Sequence, residues 1–303
     1  MYDILIIGAG TAGLTAAIYA RRAGLSCAVF ESAAPGGQIV SSPEVENYPG
    51  MPGMAGADYA MAIFQQAQNL GAEFIFSEVT GFSAFGTTKT VSTAKGDYQG
   101  RAVIIANGAQ RRKLEIPGET EFTGHGVSYC ATCDGNFFRG KDVAIVGAGN
   151  TAFEDAAYLA GVCRTVYLVS RKNTFRASEI LVNALQKREN AKILTNRKPL
   201  EIRGDKMVNT LVLADVQSGE TTELPVSAVF VAVGMEPKNS IFRSLKLDES
   251  GYIVSGEDCK TNLAGVFAAG DTRTKRLRQL VTAASDGAIA ATAAAQYLGE
   301  IQE

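Results

Sequence analysis

Two stretches of the chain repeat the same order of parts, and this duplication restricts the fold more than any other feature. DILIIGAGTAGLTAAIYARRAGLSCAVFE runs from an apolar segment through a glycine turn and helix-forming residues to a second apolar segment ending at Glu31. DVAIVGAGNTAFEDAAYLAGVCRTVYLVS has the same order and ends at Ser170. From Gly8 to Glu31, and from Gly147 to Ser170, the copies align without a gap. Each copy predicts a strand, a tight turn, a helix and a second strand, the βαβ unit of a dinucleotide-binding domain.

The small residues of each glycine turn have separate tasks in such a unit. The first glycine permits the tight turn, the second lets a pyrophosphate approach the backbone, and the third small residue keeps the helix close to its strand. In the two copies these residues are Gly8, Gly10 and Gly13, and Gly147, Gly149 and Ala152. One glycine turn alone also serves ordinary strand-to-helix geometry. Two copies in register favour two bound dinucleotides, each with its phosphates at a helix N-terminus.

The two copies differ at the end of the second strand. Glu31 provides a carboxylate that accepts hydrogen bonds from an adenosine ribose, as in FAD and NAD sites. Its counterpart is Ser170, followed by three cations, Arg171, Lys172 and Arg176. A carboxylate would repel a 2′-phosphate, whereas a hydroxyl and several cations attract one, so the second copy is predicted to bind NADPH. The alternative is a solvated basic strand end, because exposed Lys and Arg are ordinary surface residues.

The order of motifs predicts an α/β protein of two Rossmann-like, three-layer domains, the second inserted into the first. The first copy and a C-terminal strand and helix form one domain, residues 1–111 and 238–303, predicted from Glu31 to bind FAD or NAD; the resemblance described below implies FAD. Residues 112–237 form the second domain, predicted to bind NADPH and to carry a close cysteine pair. The C-terminal helix, RQLVTAASDGAIAATAAAQYL, either points its positive end at a flavin or is a plain docking helix.

Composition excludes several functional classes. With 29 basic and 31 acidic residues and no long run of one charge, the chain offers no reason to expect nucleic-acid or membrane binding. The apolar N-terminus has no basic leader and runs directly into a glycine turn, which predicts a buried strand rather than a secretion signal. We therefore expect a cytoplasmic protein. Five cysteines are an odd and sparse number, unlike a secreted disulfide framework.

Cys130 and Cys133 in YCATCDG form the only close cysteine pair, which suits a metal clamp, a structural staple or a redox centre. Structural zinc takes four ligands, but the other cysteines are scattered and His125 is the only histidine, so no metal is predicted. In a redox centre one sulfur attacks a substrate disulfide and the other sulfur then resolves the mixed disulfide. Two residues between the cysteines allow both steps. Asp134 is a candidate proton donor or, alternatively, a helix-capping residue.

These motifs in this order resemble the bacterial low-molecular-weight thioredoxin reductases, FAD-dependent pyridine nucleotide-disulfide oxidoreductases of class II. The likeness covers nearly the whole chain through GAGTAG, GGQIVSSPEVENYPG, GVSYCATCDG, GAGNTAFEDA, RKNTFRAS and GVFAAGD followed by RQ. It implies a homodimer in which hydride passes from NADPH to FAD. Electrons then pass to a Cys130/Cys133 disulfide and on to a disulfide of thioredoxin or a thioredoxin-like protein.

The resemblance also assigns roles to individual residues. Cys133 faces the flavin, Cys130 attacks thioredoxin, and Asp134 is the general acid. The C-terminal helix acquires a flavin-facing role. Further FAD contacts implied by the family motifs are Glu31, Gly36, Gly37, Gln38, Asn47, Asp271, Arg278 and Gln279. The second glycine turn with its following residues, Gly147, Gly149, Asn150, Thr151 and Ala152, is implied to hold NADPH together with Ser170, Arg171, Lys172 and Arg176.

Two departures from the family pattern bear on the electron donor. The family's basic motif is HRR with an arginine four residues later, whereas this chain has Ser170, Arg171, Lys172 and Arg176. Replacing an arginine by lysine keeps the charge but removes bidentate phosphate geometry, so NADH is an alternative donor. ANG, with Asn107 at its centre, replaces the common ATG. Other hypotheses are a ferredoxin-fed reductase, a flavin dithiol oxidase that uses oxygen, and a non-catalytic redox sensor.

Overall fold

The computed structural model describes residues 1–42, 44–51 and 53–301, so the last two residues of the predicted FAD-binding segment lie outside it. Within these described residues the α-helices are α1 (Thr11–Arg22), α2 (Gly56–Asn69), α3 (Ala131–Asp134), α4 (Asn150–Ala160), α5 (Glu179–Gln186) and α6 (Leu280–Glu300). The strands of the same residues are β1 (Tyr2–Ile7), β2 (Cys27–Glu31), β3 (Glu73–Phe76), β4 (Val79–Phe85), β5 (Thr88–Thr93), β6 (Gly96–Ile105), β7 (Ala109–Arg111), β8 (Val127–Ser128), β9 (Asp142–Val146), β10 (Thr165–Val169), β11 (Ala191–Leu194), β12 (Arg197–Gly204), β13 (Val208–Asp215), β14 (Thr221–Pro225), β15 (Ala228–Val231), β16 (Met235–Pro237) and β17 (Val266–Ala268).

The chain divides into two compact units. Unit 1 consists of Met1–Gln110 and Glu236–Glu303, and unit 2 consists of Arg111–Met235. The predicted boundaries, after residues 111 and 237, lie one and two residues further along the chain. Unit 2 therefore interrupts unit 1, and the predicted α/β class with two Rossmann-like units is confirmed.

Unit 1 is built on a seven-stranded sheet. Strands β3, β2, β1, β6 and β17 are parallel in that spatial order, as expected of a doubly wound fold. The first half of β6 instead pairs with β5 in antiparallel fashion, from Gly96 to Gly100, and β4 continues this extension. Only the second half of β6 is therefore available to β17, which pairs with it from Val103 to Ile105.

Strand β1 shows why this sheet is buried on both faces. Ile4 and Ile6 point into a core formed with α1, α2 and α6, whereas Leu5 and Ile7 point into a second core on the opposite face. That second core contains side chains of β5 and of the irregular segment before β17. An uninterrupted apolar run, here Ile4 to Ile7, is the expected pattern when both faces are covered.

Unit 2 repeats the plan on a smaller scale. Its parallel sheet has the order β11-β10-β9-β15-β8. Val143 and Ile145 of β9 pack toward α4, while Ala144 and Val146 pack toward the antiparallel sheet β12-β13-β14. Within the residues that the structure describes, no helix of either unit is long and apolar enough to cross a membrane.

Candidate active site

The two close cysteines lie directly after β8 in unit 2. Cys130 is the residue before α3, Cys133 lies inside this single helical turn, and the two sulfurs are bonded to each other with a Cα–Cα distance of 5.3 Å. Both cysteines are half-buried, whereas the three free cysteines are buried. This disulfide is therefore the cysteine site that a second protein can reach most directly.

Asp134, the last residue of α3, is held by one short hydrogen bond. The Ser128 hydroxyl donates to Asp134 Oδ2 at 2.6 Å. The Asp134 side chain caps neither α3 nor the 3-10 turn Gly135–Phe138 that follows it. Burial raises the pKa of Asp134, although the Ser128 hydrogen bond and the Arg111 charge oppose the rise. A carboxyl with a raised pKa next to a disulfide can retain and donate a proton, which supports the acid alternative over the capping alternative.

The first glycine turn is shaped by steric limits in unit 1. Gly8 has a φ of +105°, and a Cβ on Gly13 would lie 1.9 Å from the Gly8 carbonyl oxygen. Gly10 immediately precedes α1, and a Cβ there would meet no atom closer than 4.0 Å. The amide of Gly36 donates to the Ala9 oxygen at 2.7 Å, so Gly36 and Gly37 lie beside this turn.

Backbone amides fix the carboxylate of Glu31 at the end of β2. Its Oε2 accepts from Ala9 N at 2.9 Å and its Oε1 from Ala33 N at 3.0 Å. The carboxylate is therefore pre-oriented at the edge of the glycine turn, the position that a ribose-binding carboxylate requires.

Three of the remaining predicted flavin residues, Asn47, Arg278 and Gln279, lie at the start of α6. Gln279 is the residue before α6, and Asn47 donates to its Oε1 at 3.0 Å. The Arg278 guanidinium lies 4.2 Å from the Tyr252 ring centroid, and its buried Nε donates no hydrogen bond within the described residues. Asp271 lies in the 3-10 turn Gly270–Thr272, whereas Gln38 donates to the Ala109 oxygen.

The second glycine turn has the same design in unit 2. A Cβ on Gly147 would lie 2.5 Å from the Ala232 oxygen, whereas a Cβ on Gly149 would meet no atom within 4 Å. Asn150 begins α4 and accepts from Ser178 N at 2.9 Å through its Oδ1. Thr151 is exposed and Ala152 is buried in the core. The open space at Gly149 would give a pyrophosphate access to the backbone.

The basic strand end presents three cations to solvent. Arg171, Lys172 and Arg176 are exposed, and none of them forms an ion pair with a described carboxylate. Ser170 differs from the prediction in one respect. Its buried hydroxyl donates to the Lys172 oxygen at 2.9 Å and accepts from Lys172 N at 3.3 Å. It therefore shapes the turn that displays the cations, because short hydroxyl side chains form such local turns readily.

Both glycine turns fit a dinucleotide. At Gly10 and at Gly149 an open space adjoins the N-terminus of a helix, α1 and α4 respectively. Free N–H groups and the positive helix end are directed at these spaces. Unit 1 adds a carboxylate for a ribose and unit 2 adds cations for a phosphate, so the residues present fit two different nucleotides. Within the described residues no group of three or more metal-ligating side chains is found.

The pattern of the pyridine nucleotide-disulphide oxidoreductases matches residues 2–287. The chain belongs to this family. A thioredoxin reductase from Listeria innocua is 43% identical and covers 100% of this chain and 96% of that protein. A bifunctional thioredoxin reductase/thioredoxin from Mycobacterium leprae is 43% identical over 99% of this chain and 66% of that protein. The crystal structure of thioredoxin reductase from Streptococcus pyogenes, 39% identical, has a TM-score of 0.94 with 99% of both chains covered. The predicted resemblance to bacterial thioredoxin reductases is confirmed.

Two contacts near the candidate site residues carry no sequence signal. Ser128 is six residues from Asp134, and Tyr252 is far from Arg278 in the chain, so neither contact follows from a motif.

Asn107, the departure from the family pattern, donates to Lys238 O at 3.1 Å and to Asn239 Oδ1 at 3.3 Å. It thereby ties the segment after β6 to the segment that returns to unit 1.

Proposed function

We propose that this protein is an NADPH-dependent thioredoxin-disulfide reductase that binds FAD in unit 1 and NADPH in unit 2. The observation that carries the proposal is the Cys130–Cys133 disulfide next to Asp134, in a chain with two open glycine turns. FAD, when bound, can accept a hydride from a nicotinamide and supply two electrons to a disulfide. The family to which the chain belongs carries out this class of reaction.

In this proposal, residues of unit 1 bind and orient the flavin nucleotide. The glycine turn receives the pyrophosphate and Glu31 accepts from the ribose. The start of α6 provides a positive helix end. The residues assigned to FAD are Gly8, Gly10, Gly13, Glu31, Gly36, Gly37, Gln38, Asn47, Asp271, Arg278 and Gln279.

Unit 2 supplies the thiol chemistry. After reduction, the Cys130 thiolate attacks the thioredoxin disulfide, forming a mixed disulfide and releasing one thioredoxin thiol. Cys133 then attacks Cys130, which restores the internal disulfide and releases the second thioredoxin thiol. Each released thiolate takes up a proton, and Asp134 can supply one of them because burial raises its pKa.

Selection of the nicotinamide nucleotide is assigned to the basic strand end. Arg171, Lys172 and Arg176 are exposed and have no carboxylate partners among the described residues, so they are available for a 2′-phosphate. Ser170 shapes the turn, and Gly147, Gly149, Asn150, Thr151 and Ala152 form the pyrophosphate turn. We expect NADPH to be used faster than NADH.

We also propose a protein partner, an oligomeric state and a cellular compartment. The name of the fused Mycobacterium leprae relative places reductase and thioredoxin in one polypeptide, which supports thioredoxin as the partner. A homodimer and a cytoplasmic location are proposed from the resemblance to bacterial thioredoxin reductases.

The test is reduction of a thioredoxin disulfide by the purified protein with NADPH and with NADH. Turnover is expected with NADPH and should be lost in Cys130→Ser and in Cys133→Ser. Cys163→Ala, which removes a buried free cysteine, is the control and should retain turnover. Absence of turnover with both nucleotides would contradict the proposal.

Reduction of the bound flavin by NADPH under anaerobic conditions would also distinguish this enzyme from two alternative enzymes. An oxygen-using dithiol oxidase or a ferredoxin-fed reductase does not require that step. Flavin bleaching by NADPH, followed by disulfide reduction, is the expected result.

A further inference from the structure

Three charged side chains are buried together near the start of α6. The side chains of Arg273, Lys275 and Asp286 are only 2%, 5% and 4% exposed. Arg273 and Lys275 lie between the 3-10 turn Gly270–Thr272 and α6, and Asp286 lies in the second turn of α6. Charged side chains are rarely buried to this degree unless they are paired.

The Asp286 carboxylate accepts four hydrogen bonds. Its Oδ2 accepts from Gly270 N, Arg273 Nε and Lys275 Nζ, each at 2.8 Å. Its Oδ1 accepts from Arg273 Nη2, also at 2.8 Å. One carboxylate thus joins the turn at Gly270 to the chain that leads into α6.

The cluster contains two cations and one carboxylate, so it has a net charge of one positive unit. A further carboxylate, Glu257, lies 3.7 Å from Arg273 but is 94% exposed, where water screens its charge. Burial raises the pKa of the neighbouring Cys259 thiol to about 12, so this group stays neutral. The other donors of Arg273 and Lys275 reach backbone oxygens, which carry no net charge.

This excess charge lies beside the segment to which we assign flavin contacts. Gly270, whose amide donates to Asp286, directly precedes Asp271, and Lys275 is followed closely by Arg278 and Gln279. Two-electron reduction of a flavin at neutral pH adds negative charge, and a buried cation stabilises that charge more strongly than a solvated one does.

We propose that Lys275 sets the reduction potential of the flavin. Its buried ammonium, in excess over the Asp286 carboxylate, favours the reduced flavin over the oxidised flavin and so raises the midpoint potential. Arg273 forms two of the hydrogen bonds to Asp286 and holds the turn, whereas Lys275 adds the second positive charge to the cluster. The inference rests on the proposed function, since it requires FAD in unit 1.

Three substitutions separate the charge of Lys275 from its contacts. Lys275→Met removes the charge in a side chain of similar length and leaves the Arg273–Asp286 pair intact. Lys275→Gln removes the charge but keeps a hydrogen-bond donor, whereas Lys275→Arg keeps both. Lys260→Met, at an exposed lysine of the same unit, is the control for loss of a surface charge.

The measurement is the midpoint potential of the bound flavin, by equilibration of each FAD-loaded protein with a reference dye. Lys275→Met and Lys275→Gln should shift the equilibrium about tenfold toward the oxidised flavin, a fall of about 30 mV for a two-electron couple. Lys275→Arg and Lys260→Met should keep the wild-type potential. An unchanged potential in Lys275→Met or Lys275→Gln, or an equal fall in Lys275→Arg, would overturn the inference.

Binding of oxidised FAD to the flavin-free proteins provides the second measurement. The charge effect predicts that affinity for oxidised FAD changes less than threefold in Lys275→Met, because the added negative charge exists only after reduction. A tenfold loss of this affinity would mean that Lys275 is purely structural, and would overturn the inference. Failure of the wild-type protein to bind FAD would instead overturn the proposed function together with the inference.

Discussion

The Ser128 hydroxyl adjusts the proton affinity of Asp134 through a single hydrogen bond. Burial raises the pKa of Asp134, and the hydrogen bond limits this rise because it stabilises the carboxylate. The general-acid role needs the protonated form. The contact therefore sets how far the acid remains useful as the pH increases.

Ser128→Ala should move the basic limb of the pH profile to higher pH. Without the hydroxyl, the pKa of Asp134 rises further, so the protonated acid persists at higher pH. The profile of kcat/KM for thioredoxin disulfide measures this shift. Ser128→Thr keeps a hydroxyl and should leave the limb in place, and a shift to lower pH in Ser128→Ala would contradict the acid role.

Asp286→Asn should destabilise unit 1 by about 3–5 kcal/mol, because it leaves two buried cations without a buried carboxylate partner. Hydrogen bonds from Arg273 and Lys275 outweigh burial and lower the pKa of Asp286, so the stabilisation is present at neutral pH. It is lost as the pH falls below about 4, where the unfolded carboxyl takes up a proton. Urea unfolding at pH 7 and pH 3 measures both effects, with exposed Asp258→Asn as the control. An equal loss at both pH values would contradict the ion-pair explanation.

The first glycine turn combines positions that need glycine for folding with a position that needs it for binding. A Cβ on Gly13 collides with the Gly8 oxygen, whereas a Cβ on Gly10 enters open space. The same distinction separates Gly147 from Gly149 in unit 2. Substitutions within one turn can therefore separate stability from ligand affinity.

Gly10→Ala should weaken FAD binding at least tenfold, because the added methyl occupies the space assigned to the pyrophosphate. It should reduce the unfolding free energy of the flavin-free protein by no more than about 1 kcal/mol, the usual cost of alanine before a helix. Gly13→Ala should reduce that free energy by about 1–3 kcal/mol or more through overpacking. FAD titration and urea unfolding of the flavin-free proteins measure the two quantities, and equal stability losses would contradict the distinction.

The elements that could be predicted from sequence are those with local signals. The βαβ units follow from glycine turns between apolar runs, and the helix start at Gly10 or Gly149 follows from the same few residues. The antiparallel sheet β12-β13-β14 was not predicted as an element, because its pairing depends on contacts between distant residues. The partners of Asp286 were also missed, since Arg273 and Lys275 look like ordinary surface charges in sequence.

At the level of the whole chain, each unit has its own cores and its own glycine turn. Ligands that bind only the folded state of one unit stabilise that unit by mass action. The two nucleotides should therefore act on different parts of the unfolding profile.

Calorimetry of the intact protein should show that FAD and NADP⁺ stabilise different transitions. Removal of FAD should lower the transition of unit 1, and NADP⁺ at one hundred times its Kd should stabilise unit 2 by about 2.7 kcal/mol. Gly149→Ala should abolish the response to the same NADP⁺ concentration while leaving the response to FAD. A response of unit 1 alone to both nucleotides would contradict the assignment.

The first half of β6 pairs with β5 and the second half pairs with β17. This arrangement affects folding while the chain is being synthesised. The second half of β6 is synthesised well before β17, and all of unit 2 is synthesised between them. At about 5–20 residues per second, the roughly 160 intervening residues take about 8–30 s. Throughout that interval Val103–Ile105 present an unpaired strand edge, a site for mispairing with other chains. The first half of unit 1 therefore stays open to mispairing until β17 emerges, whereas unit 2, continuous in the chain, can complete its fold as it emerges.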